Sequence, residues 1–483
     1  MLFPTLSFFL FFVAVFPAVI VLKPHVRVYK IFLLALSLVF YSFWNINFTY
    51  VLVAGIVVNY GFNYLIDRQA GKPNKLWAKL FLTVALILNL ALLAICKYHS
   101  FFVDSFLQLL NNLNLSLETD IIRITAPIGI SFYTFRQIAH LVDIYQQKIP
   151  LPSALDFANF VAFFPQIASG PICRPQPFYE DLNNPHKYRY QISAVGINLI
   201  SGLFKKYVIS SYLFTITQRP FSVPNSFNSL ELFVAMLAYA CLIFVDFSGY
   251  SDLANAVTML MGFRPVPNFQ QPYGASSLSE FWGRWHISLS QWLRDYLYIP
   301  MGGSRVAVWR KYFNLFMTMF LGGIWHGVGL NFILWGALHG VGLWFSHFWS
   351  WLYEDVQGFS KTLVKALGIV ATFAFVCLTW IPFNCSSLET TADYFMQMFS
   401  FTSMNALGEL GGGGVISGES LGVIGLVLAW HLVPPETYGK ISTGIANVLD
   451  RNLFLAMTSI GGAIYLCLRL GPETVPPFIY FNF

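Results

Sequence analysis

Long stretches without charged residues constrain this chain more than any other feature. Residues 312–353 contain no Asp, Glu, Lys or Arg, and residues 1–22 contain none either. A helix that crosses a bilayer needs about 20 apolar residues, so the longer stretch has room for two crossings with a break at 327–331. The pattern predicts an all-α, polytopic membrane protein. Comparable stretches lie at 31–66, 80–95, 232–245, 366–388, 421–435 and 452–468.

The overall charge content leads to the same class. Lys and Arg total 28 and Asp and Glu total 22 in 483 residues, which is 10% charged residues, whereas a soluble domain carries about 25%. So few charges cannot cover the surface of a soluble protein of this size. This excludes an ordinary cytosolic enzyme, a disordered tail protein and a nucleic-acid binder, and it makes membrane lipids the expected surroundings.

The lengths of the apolar stretches predict roughly 11–13 helical segments. We interpret residues 1–483 as a single membrane domain in which some segments are re-entrant or interfacial. Polar residues at 44–47 divide the stretch 31–66 into two spans. Residues 99–120 alternate apolar and polar side chains at helical spacing, which favours an interfacial amphipathic helix.

The distribution of charges predicts the orientation of the chain. Basic residues follow the first span at 23–30 and the third at 68–79, whereas the turn between the second and third spans is neutral. Residues 264–311 contain six cations and two carboxylates. Because cytoplasmic loops are enriched in Lys and Arg, we expect these segments in the cytoplasm and the N-terminus outside. Residues 384–419 are acidic, contain a run of four glycines and fit a flexible exoplasmic loop.

A histidine, His326, lies near the start of the longest uncharged stretch. An ionisable group inside a membrane is costly, and imidazole can accept a proton near neutral pH, so His326 is a candidate general base. The alternative is helix packing, because Gly323 and Gly327 form a GxxxG pattern. On a continuous helix His339 would lie about 20 Å further along the axis, so we expect a structural role for His339 unless the chain breaks between the two.

Residues 279–296 combine tryptophans, arginines and His286. Aromatic residues beside cations are typical of a membrane interface. They also suit a cytoplasmic funnel for an anionic, adenine-bearing donor, because Arg binds phosphate well. Both interpretations stay open. The candidates for the donor funnel are Arg284, Trp285, Arg294, Asp295 and Arg305.

Two more polar groups lie within apolar surroundings. Asp246 and Asp252 are six residues apart and do not share a helix face, so we expect each to bind a neighbouring segment. Arg136, His140 and Asp143 favour a buried network in which they pair with one another. Neither group resembles a metal site, and none is expected. The six cysteines contain no CxxC pair and predict neither a disulfide framework nor a zinc cluster.

Several of these motifs together resemble the membrane-bound O-acyltransferase (MBOAT) family. The most specific are Phe281-Trp-Gly-Arg-Trp-His-Ile-Ser-Leu-Ser-Gln-Trp-Leu-Arg-Asp-Tyr-Leu-Tyr-Ile-Pro300 and Gly322-Gly-Ile-Trp-His-Gly327, both within the segment 264–341. Supporting motifs lie at 127–135, 246–252 and 477–483. The resemblance is strongest to the bacterial branch that includes the membrane subunit of alginate O-acetyltransferase.

The resemblance implies an arched bundle of tilted helices with a funnel on each membrane face. It implies that His326 is the essential histidine and His286 the second polar residue of the active site. The expected reaction moves an acyl group, most simply acetyl, from acetyl-CoA or another cytoplasmic thioester to a polysaccharide hydroxyl outside, with no permanently bound cofactor. Backbone N–H groups at 322–327 or the His286 side chain are candidate oxyanion donors.

The resemblance also implies a bacterial inner-membrane location and a separate periplasmic, esterase-like transferase as partner. Two other functions stay open. One is a D-alanyl transfer protein for teichoic acid, which belongs to the same family. The other is a transporter or flippase without acyl transfer, because broken helices and polar residues at the membrane midplane are typical of transporters as well.

Overall fold

The computed structural model describes residues 5–113, 125–185, 192–352, 359–400, 415–472 and 476–481. Within these ranges the chain forms helices joined by short turns and contains no β-strand. The all-α prediction is therefore confirmed. Residues 401–414 of the predicted exoplasmic loop 384–419 lie outside the described residues, and Leu388–Met398 within it form a helix, so this part of the loop prediction is wrong.

The first of two compact units comprises Met1–Arg189 and Val257–Val266. Its helices are α1 (Leu6–Leu22), α2 (Val26–Ser42), α3 (Ile46–Ala70), α4 (Leu76–Asn112), α5 (Ile130–Tyr145), α6 (Ala154–Ala162), α7 (Phe164–Ile167) and α8 (Pro175–Asn183).

The second unit comprises Tyr190–Ala256 and Pro267–Phe483. Its helices are α9 (Ile192–Leu203), α10 (Ser211–Ser222), α11 (Ser229–Leu260, whose last turn belongs to the first unit), α12 (Leu278–Arg284), α13 (Ile287–Leu293), α14 (Val308–His326), α15 (Leu330–Leu352), α16 (Phe359–Asn384), α17 (Leu388–Met398), α18 (Gly418–Leu432), α19 (Pro435–Asp450) and α20 (Leu453–Leu470). A single functional domain over 1–483 stays a prediction.

Five helical stretches in the described chain are long and apolar enough to cross a membrane. They are Ile46–Ala70, Leu76–Asn112, Ile192–Ser222, Ser229–Leu260 and Ser360–Asn384. Three shorter apolar helices lie at Ser7–Leu22, Gly418–Leu432 and Phe454–Leu470. These helices are those of a multi-pass membrane protein.

The two predicted helix breaks are confirmed. The interfacial helix predicted at 99–120 is not separate over its described residues, and 114–120 lie outside them. α2 ends at Ser42 and α3 begins at Ile46, and α14 ends at His326 four residues before α15 begins. Residues 99–112, however, continue α4 without interruption. No Gly or Pro occurs between 76 and 112 to end the helix, and at 37 residues α4 is about 55 Å long.

A buried histidine in the first unit is held by an asparagine. His140 on α5 has its Nδ1 2.9 Å from Asn63 Oδ1, and its ring centre is 4.8 Å from that of Phe157. Arg136, one helical turn earlier, donates to Gln166 Oε1 at 3.2 Å. The sequence predicted that Arg136, His140 and Asp143 pair with one another. Arg136 and His140 instead bond to Gln166 and Asn63.

In the second unit α14 and α15 form a tight helical hairpin. A Cβ atom on Gly323 would collide with the backbone of Phe332 and Gly336, so the glycines allow the two helix backbones to touch. Asn331 ties the turn of the hairpin to the end of α16 by donating to the carbonyl oxygen of Cys385 at 2.8 Å. The glycines therefore serve helix packing, as one interpretation of the sequence predicted. The same packing fixes the position of His326, so the two interpretations do not exclude each other.

Candidate active site

His326 is the last residue of α14 and is only 5% exposed. Its ring is surrounded by aromatic rings, with centroid distances between 4.9 and 5.7 Å. The surrounding rings are those of Trp325, Trp335, Phe383 and Tyr480.

These surroundings favour a histidine that accepts a proton during a reaction. The carbonyl end of a helix carries partial negative charge, which stabilises a cation on its last turn. The end of α14 therefore favours an imidazolium at His326, whereas burial among aromatic rings opposes a lasting charge there. A proton held only during the reaction is consistent with both effects.

His286 lies at the turn between α12 and α13, in a left-handed backbone conformation (φ 41°, ψ 53°). A non-glycine residue rarely adopts this conformation, so the surrounding structure has to hold it. The side chain is 1% exposed, and Nδ1 lies 3.0 Å from Asn268 Oδ1. The backbone that follows His286 is fixed as well, because Ile287 N donates to the carbonyl oxygen of Asn268 at 2.9 Å.

The hydrogen bonds of Asn268 define which nitrogen of His286 carries the hydrogen. Asn268 Oδ1 accepts from Ser288 N at 3.3 Å and from Ser288 Oγ at 2.9 Å. A backbone N–H only donates, so the atom facing it is the amide oxygen, and His286 Nδ1 must be the protonated nitrogen.

Nε2 of the neutral His286 ring therefore keeps its lone pair. This atom is buried and has no hydrogen-bond partner in the described part of the chain. The arrangement favours His286 as an acceptor of a hydrogen bond from a bound group, in preference to the role of oxyanion donor that the sequence left open.

One tyrosine near the C-terminus contacts both histidines. The ring centre of Tyr480 is 5.7 Å from that of His326 and 6.4 Å from that of His286. Phe247 packs against His286 at 4.6 Å and against Tyr480 at 4.5 Å. The two predicted catalytic histidines are thus brought to one aromatic ring, although 40 residues separate them in the sequence.

Sequence reasoning missed Tyr480 and Asn268 as members of the site. The C-terminal motif 477–483 was noticed only as part of the family resemblance, and Asn268 stands in a proline- and glutamine-rich segment without a recognisable pattern. Only the fold brings these residues to the histidines.

A polar cavity of about 920 Å³ reaches Asn268. Two residues of its wall, Ser248 and Gln271, each have a buried side-chain oxygen without a hydrogen-bond partner among the described residues. Buried polar atoms are nearly always satisfied, so these atoms fit a polar ligand that supplies the missing bonds. The wall also contains Ser201, Lys205, Asp252 and Asn268.

A second cavity of about 480 Å³ borders Ile287, next to His286 in the chain. Its wall is more apolar and includes Trp282, Ser290, Arg294, Tyr298 and Met319. The turn that carries His286 is therefore bordered by one cavity at Asn268 and by another at Ile287.

The five candidates for the donor funnel have different surroundings. Arg284 pairs with Glu280. Burial alone would raise the pKa of Glu280, but hydrogen bonds from Ser276 and the charge of Arg284 lower it overall, so the carboxylate is ionised. Trp285 is 1% exposed and packs 5.0 Å from Trp380 between ring centres.

The other three candidates lie further along the chain. Arg294 pairs with Asp295 at 2.8 Å and lines the second cavity, and Arg305 is exposed. The structure thus places Trp285 in an aromatic core and does not collect all five around one opening. A donor-funnel role for the set stays a prediction.

His339 is closer to His326 than a continuous helix would allow, because the chain breaks between them. Both rings contact Trp335, at 5.0 Å for His326 and 4.6 Å for His339. His339 Nε2 lies 3.0 Å from Thr379 Oγ1, and the residue is fully buried. These contacts support a structural role for His339.

The sequence was compared with known families and proteins. Residues 74–388 match the profile of the membrane-bound O-acyltransferase family, a range that includes His286 and His326. The chain is 32% identical to the probable alginate O-acetylase AlgI of Pseudomonas putida over 95% of both chains. It is 34% identical to the peptidoglycan O-acetyltransferase of Helicobacter pylori over 75% of this chain and 72% of that one.

A more distant relative is the teichoic acid D-alanyltransferase of Bacillus subtilis, 32% identical over 53% of this chain and 68% of that one. Together with the helical fold and the paired histidines, these matches define a membrane-embedded acyl-transfer enzyme. The chain belongs to the MBOAT family and is an O-acyltransferase.

Proposed function

We propose that the protein transfers an acetyl group from a cytoplasmic thioester to hydroxyl groups of an exported or cell-envelope polysaccharide. The single observation that carries the proposal is the contact of His326 and His286 with one tyrosine ring, beside a polar cavity. Relatives named for acetylation of alginate and of peptidoglycan support a polysaccharide acceptor.

In the proposed reaction His326 removes the proton from the acceptor hydroxyl as its oxygen attacks the thioester carbonyl. A C–O bond forms and the C–S bond breaks, and the proton held by His326 passes to the leaving thiolate. Nothing else is consumed, so the reaction needs only the thioester and the alcohol. The carbonyl end of α14 stabilises the transient imidazolium.

His286 has a complementary part in this proposal. Its unprotonated Nε2 accepts a hydrogen bond from a bound hydroxyl or amide, while Asn268 fixes the ring. Fixed orientation lowers the entropy cost of bringing two reactants together. Of the backbone N–H groups at 322–327, those up to His326 lie within α14, so the N–H of Gly327 remains the proposed donor to the oxyanion.

We assign the donor to the polar cavity. The pantetheine arm of acetyl-CoA carries amide groups, and the cavity wall offers Ser248, Asn268 and Gln271 as partners. Lys205 lies on the same wall, where it pairs with Asp252 at 2.8 Å. On the predicted N-out orientation this end of α11 faces the cytoplasm, where thioesters are made.

Blocking each cavity in turn tests the assignment of the donor route. Ser248→Trp fills the polar cavity and Ser290→Trp fills the second one. We expect Ser248→Trp to raise the KM for acetyl-CoA with purified protein in liposomes, and Ser290→Trp to leave it near the wild-type value. The opposite result would move the donor to the cavity that Arg294 lines, as the sequence suggested.

The acceptor side involves a partner in this proposal. An inner-membrane enzyme of this kind hands its acyl group to a hydroxyl outside the membrane, either on the polysaccharide or on a separate periplasmic, esterase-like transferase. The location and the partner rest on the relationship to the alginate O-acetylases.

The function is tested by mild alkaline release of ester-linked acids from isolated envelope and secreted polysaccharides. We expect acetate from cells with the wild-type protein and none above background with His326→Ala, at equal amounts of folded protein in the membrane. Release of D-alanine from teichoic acid instead would assign the second family activity. A folded His326→Ala variant that acetylates normally would contradict acyl transfer by this site and favour a transporter.

A further inference from the structure

A buried ion pair lies in the second unit, outside the catalytic residues described above. Lys206 and Asp246 are 1% and 2% exposed, and Lys206 Nζ donates to Asp246 Oδ1. Ser210 Oγ donates to the same oxygen at 2.6 Å. Removing two charges from water is costly, and their attraction does not always compensate for it. Stabilisation of the fold alone therefore does not explain the ion pair.

Within the described part of the chain, the other hydrogen bonds of the Lys206 and Asp246 side chains go to the C-terminal segment. Asp246 Oδ2 accepts from Ile479 N at 2.9 Å, and Lys206 Nζ donates to Pro477 O at 3.4 Å. The same ammonium group lies 5.9 Å from the centre of the Phe478 ring. One side chain of α11 and one of the π-helical turn 204–210 thus bind three consecutive residues of segment 476–481.

The segment held in this way carries Tyr480. Phe247 follows Asp246 directly and packs against Tyr480 and His286, at 4.5 and 4.6 Å between ring centres. Tyr480 reaches His326 on its other side at 5.7 Å. A shift of this segment would therefore change the surroundings of both histidines.

Two glycines allow the ion pair to form. A Cβ atom on Gly202 would lie 2.8 Å from the carbonyl oxygen of Gly249, so the backbones of α9 and α11 are in direct contact there. The π-helical turn follows immediately after α9 and directs Lys206 and Ser210 towards Asp246. Close helix packing thus brings the charged groups into hydrogen-bond distance.

We propose that Asp246 is a positioning residue, which together with Lys206 clamps segment 476–481 and holds Tyr480 against His326 and His286. The clamp itself is a property of the fold. Its effect on turnover rests on the proposed acyl transfer. Because a small misplacement of reacting groups costs roughly 100-fold in rate, release of the segment lowers turnover without removing a group that touches the substrate.

Hydrogen–deuterium exchange of the full-length protein tests the clamp without reference to activity. In Asp246→Ala we expect faster exchange in peptides that cover 476–481, and unchanged exchange in α14. Turnover of acetyl-CoA falls roughly 100-fold. Asp246→Asn keeps an oxygen that can accept from Ile479 N, so it retains more protection of 476–481 and more turnover than Asp246→Ala.

The matched control is Asp156→Ala, which breaks a half-buried ion pair with Lys30 in the first unit. We expect this variant to keep the protection of 476–481 and its turnover per folded molecule. If Asp246→Ala fails to fold, Ile479→Pro removes the donor from the tail and leaves α11 intact, with the same expected release.

Unchanged exchange of 476–481 in Asp246→Ala or Ile479→Pro would overturn the clamp. Faster exchange with full turnover would overturn the claim that the clamp positions the site. If the wild-type protein transfers no acyl group at all, the proposed function fails, whereas the exchange result still decides whether Asp246 holds the segment.

Discussion

Two buried histidines, one in each unit, have nearly the same immediate surroundings. His140 and His286 each have Nδ1 within 3.0 Å of an asparagine Oδ1, and each has an unpaired Nε2 within the described chain. Each ring also meets a phenylalanine, at 4.8 Å for His140 and 4.6 Å for His286.

What differs is the next layer of contacts. Asn268, the asparagine that bonds to His286, lines a polar cavity. The ring of His286 contacts Tyr480, which also contacts His326. The ring of His140 is instead enclosed by Phe157, Phe160 and Tyr179. The comparison teaches that an asparagine–histidine pair by itself only fixes a ring. His286 differs from His140 in that its asparagine lines a cavity and its ring shares a tyrosine with a second histidine.

The largest effect on turnover is expected from His326, the histidine that shares Tyr480 with His286. His326→Gln keeps an amide of similar size but removes the base, and general-base catalysis contributes about 10²- to 10⁴-fold. We expect acetyl transfer by purified protein to fall roughly 1,000-fold with an unchanged thermal unfolding midpoint. A loss of less than tenfold would show that His326 is not the base.

Removing the shared ring should have the next largest effect. Tyr480→Leu deletes the contact between the two histidines, and we expect turnover to fall roughly 100-fold because both rings lose a neighbour that fixes them. Tyr465→Leu is the matched control, since Tyr465 is 60% exposed on α20. Equal activities of the two variants would separate Tyr480 from the site.

A smaller effect is expected from the asparagine of His286. Asn268→Leu leaves the Nδ1–H of His286 without an acceptor, which costs about 1–3 kcal/mol and lets the ring rotate. We expect roughly tenfold lower turnover and a lower unfolding temperature. Asn63→Leu makes the same change beside His140 and should lower only the unfolding temperature. Loss of turnover in both variants would remove the distinction between the two pairs.

Local sequence pattern was sufficient for the helix breaks, whereas the catalytic role of His326 stays a prediction. Gly327, Gly329 and Asn331 follow the end of α14 at His326, and apolar residues on both sides define the helices. The expectation that Asp246 and Asp252 bind neighbouring segments is confirmed, because they pair with Lys206 and Lys205.

Contacts between distant segments could not be predicted in the same way. Tyr480 meets His326 across more than 150 residues of sequence, in a segment whose Ile479 N donates to Asp246. Trp285 is buried because a left-handed residue follows it and turns α13 away from α12, which no periodicity indicates. The amphipathic pattern at 99–112 predicts a helical face correctly but does not tell whether the helix is separate from the preceding span.

The central claim is that the surroundings of His286, and not its bonding to an asparagine, make it functional. Its most direct test is the turnover per folded molecule of His286→Gln and His140→Gln, measured with acetyl-CoA and polysaccharide under the same conditions. We expect roughly 100-fold lower turnover for His286→Gln, and wild-type turnover with about 1–3 kcal/mol lower stability for His140→Gln. Equal turnover of the two variants would contradict the claim.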